Sequence, residues 1–167
     1  VTDPSLDFGL PVQVRDVPAM RVARMTWEGP PARIGEGFER VTEFAVRHGV
    51  GPVGPLMGFY PRLVRGASTI AAQLLVPLTR IVETDDDAIE TVRLVRRRTA
   101  CLMYSGPMND EFRQQHLALF AWMDAHGLPR NGTAHQHAYI AGTAASPTWT
   151  VEIRVPVVGG GAPATPL

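Results

Sequence analysis

The chain repeats itself, and a chain built from two like halves is confined to folds that two copies of one unit can make. Residues 21–30 read RVARMTWEGP and residues 98–107 read RTACLMYSGP, each a β-type run ending in an aromatic, one further residue and Gly-Pro. GFERVTEFAVRHGV at 37–50 is answered by QHLALFAWMDAHGL at 115–128, both of helical period and both closing on His-Gly and an apolar residue. A short strand-like piece follows in each half, Leu56–Tyr60 and His135–Ile140. Each half then ends in a strand with a Val-Pro pair, at 70–77 and 149–156.

Local chemistry turns this alignment into elements. Gly-Pro ends a strand before each helix, and Asn109 or Asp110 is placed to cap the second helix. Gly49 and Gly127 sit where a helix ends on a left-handed residue, which puts His48 and His126 at the negative helix end. Phe38, Val41, Phe44 and Ala45 share one face of the first helix. Leu117, Phe120, Ala121 and Met123 form the corresponding stripe of the second. The runs from Val12 to Trp27 and from Ile89 to Tyr104 are too long for one flat strand, and Pro18 breaks the first, so each reads as two strand pieces joined by a bend. The expected fold is α+β: repeats at about 12–78 and 89–157 form an antiparallel sheet with both helices on one face and a concave cleft on the other. Residues 1–167 form one domain in this reading, with frayed ends at 1–10 and 158–167.

Composition removes several function classes. Lys plus Arg number 16 and Asp plus Glu 16, which leaves no basic footprint for nucleic acid or an anionic membrane. Arg96–Arg98 and Asp85–Asp87 are opposite runs that read as solvated faces. The single cysteine, Cys101, lies in an apolar run and reads as a small buried hydrophobe in a reducing cytosol. No apolar stretch approaches a membrane span and no signal segment opens the sequence, so a cytoplasmic protein is expected.

The ordered, twice-used pattern resembles the GyrI-like family, the effector-binding domain of bacterial transcription activators. The matching residues are Val22-Ala23, the Gly29-Pro30 turn, the Phe38–Gly49 helix, Gly54-Pro55 with Phe59-Tyr60, and Val151–Pro156. The resemblance implies a cleft for drug-like, often aromatic or cationic compounds, with Glu152 as counterpart of a pocket glutamate on the last strand. It also implies a second activity, hydrolysis of cyclopropane-bearing natural products by stand-alone members, in detoxification or self-resistance. The ten residues ahead of the first repeat cannot form a helix-turn-helix, so no direct nucleic-acid contact is expected.

Alternation along the last strand puts Val151, Ile153 and Val155 toward the helices and Glu152 on the open face, with Arg154 on the same side. Gln73 is the pseudo-symmetric mate of Glu152. Trp27, Phe59, Tyr60, Tyr104, Tyr139 and Trp149 are the candidate ligand-stacking aromatics, and each also fits a core-filling role. Tyr60 and Tyr139 are preferred over Phe59, because a buried hydroxyl needs a partner such as Glu152. For hydrolysis, Glu152 would activate water and Tyr104 or Tyr139 would support the leaving oxygen. His135 and His137 share a strand face and could chelate zinc, but no further ligand stands at a convincing spacing, so neither metal nor cofactor is expected. The expected partner is a hydrophobic small molecule, with no protein partner identified. Sequestration or sensing of a planar hydrophobic or cationic compound is the first functional reading, and hydrolysis the alternative.

Overall fold

Pro18 divides the first extended run as the sequence predicts, giving β1 (Gln13–Val17) and β2 (Met20–Gly29). In the computed structural model, which describes residues 10–142 and 148–159, these two pieces do not pair with each other. The order continues with α1 (Ile34–Arg47), β3 (Leu56–Tyr60), β4 (Ile70–Leu78), β5 (Ile89–Leu94), β6 (Arg97–Gly106), α2 (Asp110–Ala125), β7 (His135–Ala141) and β8 (Trp149–Pro156). Most of the expected frayed ends, 1–9 and 160–167, lies outside the described residues.

The eight strands of the described residues join one antiparallel sheet in the order β1-β6-β8-β7-β3-β4-β2-β5. The order is symmetric about the β7–β3 seam, where Gly58 faces His137 and Tyr60 faces His135. Each half sends its first strand across to the other. β1 extends the second half along β6, and β5 extends the first half along β2.

Alternation assigns the faces. Val41, Phe44 and Ala45 of α1 pack on Ala23, Met25, Leu74 and Val76 of β2 and β4. Leu119, Phe120 and Met123 of α2 pack on Ala100, Leu102, Val151, Ile153 and Val155 of β6 and β8. Burying one such large apolar side chain stabilises the fold by about 1.5–3 kcal/mol. The stripe of α2 differs from the expected one: its buried residues are Phe112, His116, Leu119, Phe120 and Met123, while Leu117 and Ala121 face solvent. A buried histidine in the stripe disguised its period.

The opposite sheet face carries Val22, Leu75, Met57 and Ala138. The sheet curls toward this side, so that Val17 of β1 and Val92 and Leu94 of β5, from opposite ends of the strand order, line one hollow of about 300 Å³. The helix ends follow the sequence. Asn109 Oδ1 accepts hydrogen bonds from the Glu111 and Phe112 backbone N–H groups, and Gly49 and Gly127 adopt φ of 65° and 66°. His48 and His126 turn Nδ1 onto the Phe44 and Trp122 carbonyls of their own helices.

Candidate functional site

The two helices sit over the outer parts of the sheet, α1 on β2 and β4 and α2 on β6. Beside α2, with Pro31 ahead of α1 at its edge, lies a cleft of about 770 Å³, floored by Tyr60, His135 and His137 from the central strands β3 and β7. Its walls are residues 61–67 after β3, the start of β4 at Ile70 and Ala71, and the first turns of α2 from Met108 to His116. Leu63, Val64, Ile70, Met108 and Phe112 make these walls largely apolar, while among the described residues Arg62, Arg65 and Arg113 outnumber the one lining acid, Asp110.

The floor is a connected polar cluster. His116, His135 and His137 are buried, with exposures of 1%, 2% and 7%. The Phe112 carbonyl, 2.8 Å from His116 Nδ1, can only accept, so His116 carries its proton on Nδ1. His116 Nε2 must then accept from His137 Nε2–H at 2.7 Å. His137 Nδ1 in turn accepts from the Tyr139 hydroxyl at 3.2 Å, which accepts from the Tyr60 hydroxyl at 2.5 Å. His135 donates Nδ1–H to the Thr133 carbonyl at 2.8 Å, leaving Nε2 as its lone-pair nitrogen. Burial pushes the imidazoles toward neutrality: His116 falls to about 4, His135 is lowered, and His137 lies well below its ordinary value. Burial also raises the Tyr60 hydroxyl to about 12 and lifts Tyr139 well above its usual value, so both stay protonated. Tyr60 stacks on His135 at 5.3 Å, and Phe112 meets His116 edge-on at 4.6 Å.

The sequence-derived candidates divide between the two faces of the sheet. Tyr104 and Tyr139 both stand opposite Val151, so they share its helix-covered face while Glu152 points the other way. Tyr60 lines the cleft, with Tyr139 bonded to it and edge-on to Phe38 at 5.6 Å. Tyr104 donates its hydroxyl to the Pro107 carbonyl at 2.7 Å, and Trp27 and Trp149 pack against the first and second cores. Glu152, Tyr104 and Tyr139 therefore do not converge on a common reacting atom. The expected Glu152 partner for the Tyr60 and Tyr139 hydroxyls is corrected, because the two hydroxyls partner each other across the seam.

Glu152, Gln73 and Phe59 occupy the open face. Glu152 does face away from the helices, but its Oε1 accepts from Arg15 Nη2 and Arg154 Nε, both at 2.6 Å. Burial opposes its charge, yet these two hydrogen bonds prevail and hold its carboxyl below the usual range. Gln73 leaves its buried Oε1 without a partner, and Phe59 lines the 300 Å³ hollow beside Arg24 and Gln136. The sequence reading also missed His116. The only signal for it is its place four residues after Phe112 on the buried stripe of α2.

The model of the GyrI-like family, described as a small molecule binding domain, matches residues 10–158. No curated protein sequence is significantly similar. Among solved structures the EcmrR C-terminal domain superposes with a TM-score of 0.72 at 14% identity, over 88% of this chain and 96% of that domain. Against the whole EcmrR chain in its DNA complex the TM-score is 0.70 at 14% identity, covering 87% of this chain; the chain spans 56% of EcmrR's length. A hydrolase from Listeria innocua is similar at a TM-score of 0.62 and 15% identity, over 87% of this chain and 90% of the other. SAV2435 bound to tetraphenylphosphonium gives 0.56 and 12%, over 90% and 95%. At these identities the likeness is one of fold.

Proposed function

This chain belongs to the GyrI-like small-molecule-binding family, and from that premise we propose that it holds a planar, largely apolar compound in the cleft beside α2, as a sensing or sequestering domain. The observation that carries this reading is the cleft itself, about 770 Å³ of space walled by Leu63, Val64, Ile70, Met108 and Phe112 over a polar floor. Apolar walls supply affinity, and a few fixed polar groups set orientation. Tyr60 and the histidines are those groups here.

The charge preference follows from the rim. Three arginines against one aspartate favour neutral or anionic compounds over cations of the same shape. SAV2435, by its description, holds the bulky aromatic cation tetraphenylphosphonium; the aromatic bulk suits this cleft and the charge does not. Glu152 takes no part in binding, since it lies on the other face and is already paired with two arginines. Hydrolysis by a Glu152 base gains no support, because its supposed tyrosine partners are on the opposite side of the sheet.

Fluorescence titration with neutral, anionic and cationic planar dyes of similar size tests the proposal. Micromolar affinity, roughly −8 kcal/mol, is expected for the first two, with weaker binding of the cation. Val64→Glu, at a 39% exposed position on the cleft wall, should lower affinity for the anionic dye at least about tenfold without changing the fold. A cationic preference, or unchanged binding in this variant, refutes the assignment.

A further inference from the structure

Three buried imidazoles converge on the cleft floor without a carboxylate among their hydrogen-bond partners. His135 and His137 are two apart on β7, so their side chains share a face. His116 reaches the same place from α2, 21 residues away from His137. One coordinating atom from each lies within 4.8 Å of the others.

The outer nitrogens decide what the inner ones can do. His116 Nδ1 is held by the Phe112 carbonyl, His135 Nδ1 by the Thr133 carbonyl, and His137 Nδ1 by the Tyr139 hydroxyl. Metal-binding histidines are oriented in this way, through a carbonyl or hydroxyl on the nitrogen that does not coordinate. It leaves Nε2 of all three as the inward atoms. A hydrogen-bonded core pair would explain His116 and His137 alone. It gives no reason for a third buried imidazole with its own Nδ1 tethered.

We propose that His116, His135 and His137 form a site for one divalent transition-metal ion of the zinc class, bound through the three Nε2 atoms with a further position open to the cleft. Zinc–nitrogen bonds of about 2.0–2.1 Å in tetrahedral geometry set the nitrogens roughly 3.3 Å apart. The cluster must therefore open its 2.7 Å pair and draw His135 toward it, within a group whose coordinating nitrogens lie within 4.8 Å of one another. His137 must free Nε2 of its proton. Moving that proton to Nδ1 does this without net ionisation: Nδ1–H then donates to the Tyr139 hydroxyl, and donation between the Tyr139 and Tyr60 hydroxyls reverses. Three neutral ligands leave the ion its full double charge, so the open position suits an anionic or strongly polar oxygen donor. The site stands on the histidines alone and does not depend on which compound occupies the cleft.

The test uses full-length protein freed of metal by chelation and titrated with Co²⁺, followed by visible absorption, and then with competing Zn²⁺. One Co²⁺ per chain with the intense bands of low coordination is expected, displaced by one Zn²⁺. His116→Asn should weaken uptake at least about a hundredfold, whereas replacing His48 and His126 together, the only other histidines, should leave it unchanged. Thermal melting of the metal-free variants reports whether they fold. Should His116→Asn fail to fold, imidazole ¹⁵N shifts of the wild type on adding Zn²⁺ answer the same question: Nε2 of His116, His135 and His137 should move, and His48 and His126 should not. No stoichiometric uptake, uptake unaffected by a folded His116→Asn, or shifts confined to His48 and His126 would each overturn the proposal.

Discussion

Replacing Glu152 by Gln separates the two faces of the sheet. The wild-type carboxylate takes hydrogen bonds from Arg15 and Arg154, with side-chain exposures of 12% for Glu152 and Arg154 and 38% for Arg15. Glutamine keeps the shape and an oxygen that both arginines can still address but removes the charge, leaving Arg154 a largely buried cation with no carboxylate among its hydrogen-bond partners. Arg15 already has a buried Nη1 without a partner. Breaking a fully buried pair costs 3–5 kcal/mol; with Arg15 partly solvated, about 2–3 kcal/mol is expected here. For a chain of this length that is a fall in Tm of roughly 4–12 °C, measurable by calorimetry or urea titration at pH 7. The acid limb supplies an internal check. The Glu152 carboxyl is held below its ordinary range, so its contribution is complete above the unfolded value of about 4.3 and is lost as pH falls through the lower folded value. Wild type and variant should therefore draw together in stability as pH falls below the unfolded value and coincide once it is under the lower folded one. Dye affinity in the cleft beside α2 should be unchanged. A variant as stable as wild type at pH 7 but unable to bind dye would refute this reasoning and move the site to the open face.

Asn109→Ala removes the N-cap of α2 and should cost about 1 kcal/mol in urea titration. Gly37→Ala, ordinarily favourable within a helix, should instead destabilise by about 1–2 kcal/mol, because its Cβ would stand 2.5 Å from Leu74 Cδ1 and 2.7 Å from Trp27 Cδ1. Burial, reinforced by the Glu152 charge, raises the Cys101 thiol to about 11, so alkylation at pH 8 should be slow in the native protein and fast after unfolding; equal rates would show the site is open.

The elements were legible because their signals are local. The Pro18 bend, the caps at Asn109, Gly49 and Gly127, and the stripe of α1 each depend on a few adjacent residues. So does the orientation of Glu152, which follows from the alternation of Val151, Ile153 and Val155. Register is not local. That Tyr104 and Tyr139 both stand opposite Val151 places them away from Glu152, and no property of either tyrosine encodes that pairing. The destination of β1 is equally non-local, since its partner β6 lies beyond the whole first half. His116 was hidden for a third reason: a polar residue inside an apolar stripe looks like a break in the stripe until the strand it faces is known.

The exchange of first strands has a consequence for how the molecule could be divided. Cutting the connection at 79–88, between β4 and β5, would leave two fragments of like architecture, each holding a strand that completes the other's sheet. Three ladders would still join them, β1 with β6, β2 with β5 and β3 with β7. Such fragments are interlocked rather than merely adjacent. Mixed together they have the means to reconstitute the sheet, and alone each lacks the strand that covers its outer edge. By the same geometry, two copies of a single ancestral half could have clasped one another by trading those strands, and the covalent connection would then have fixed an assembly that already existed.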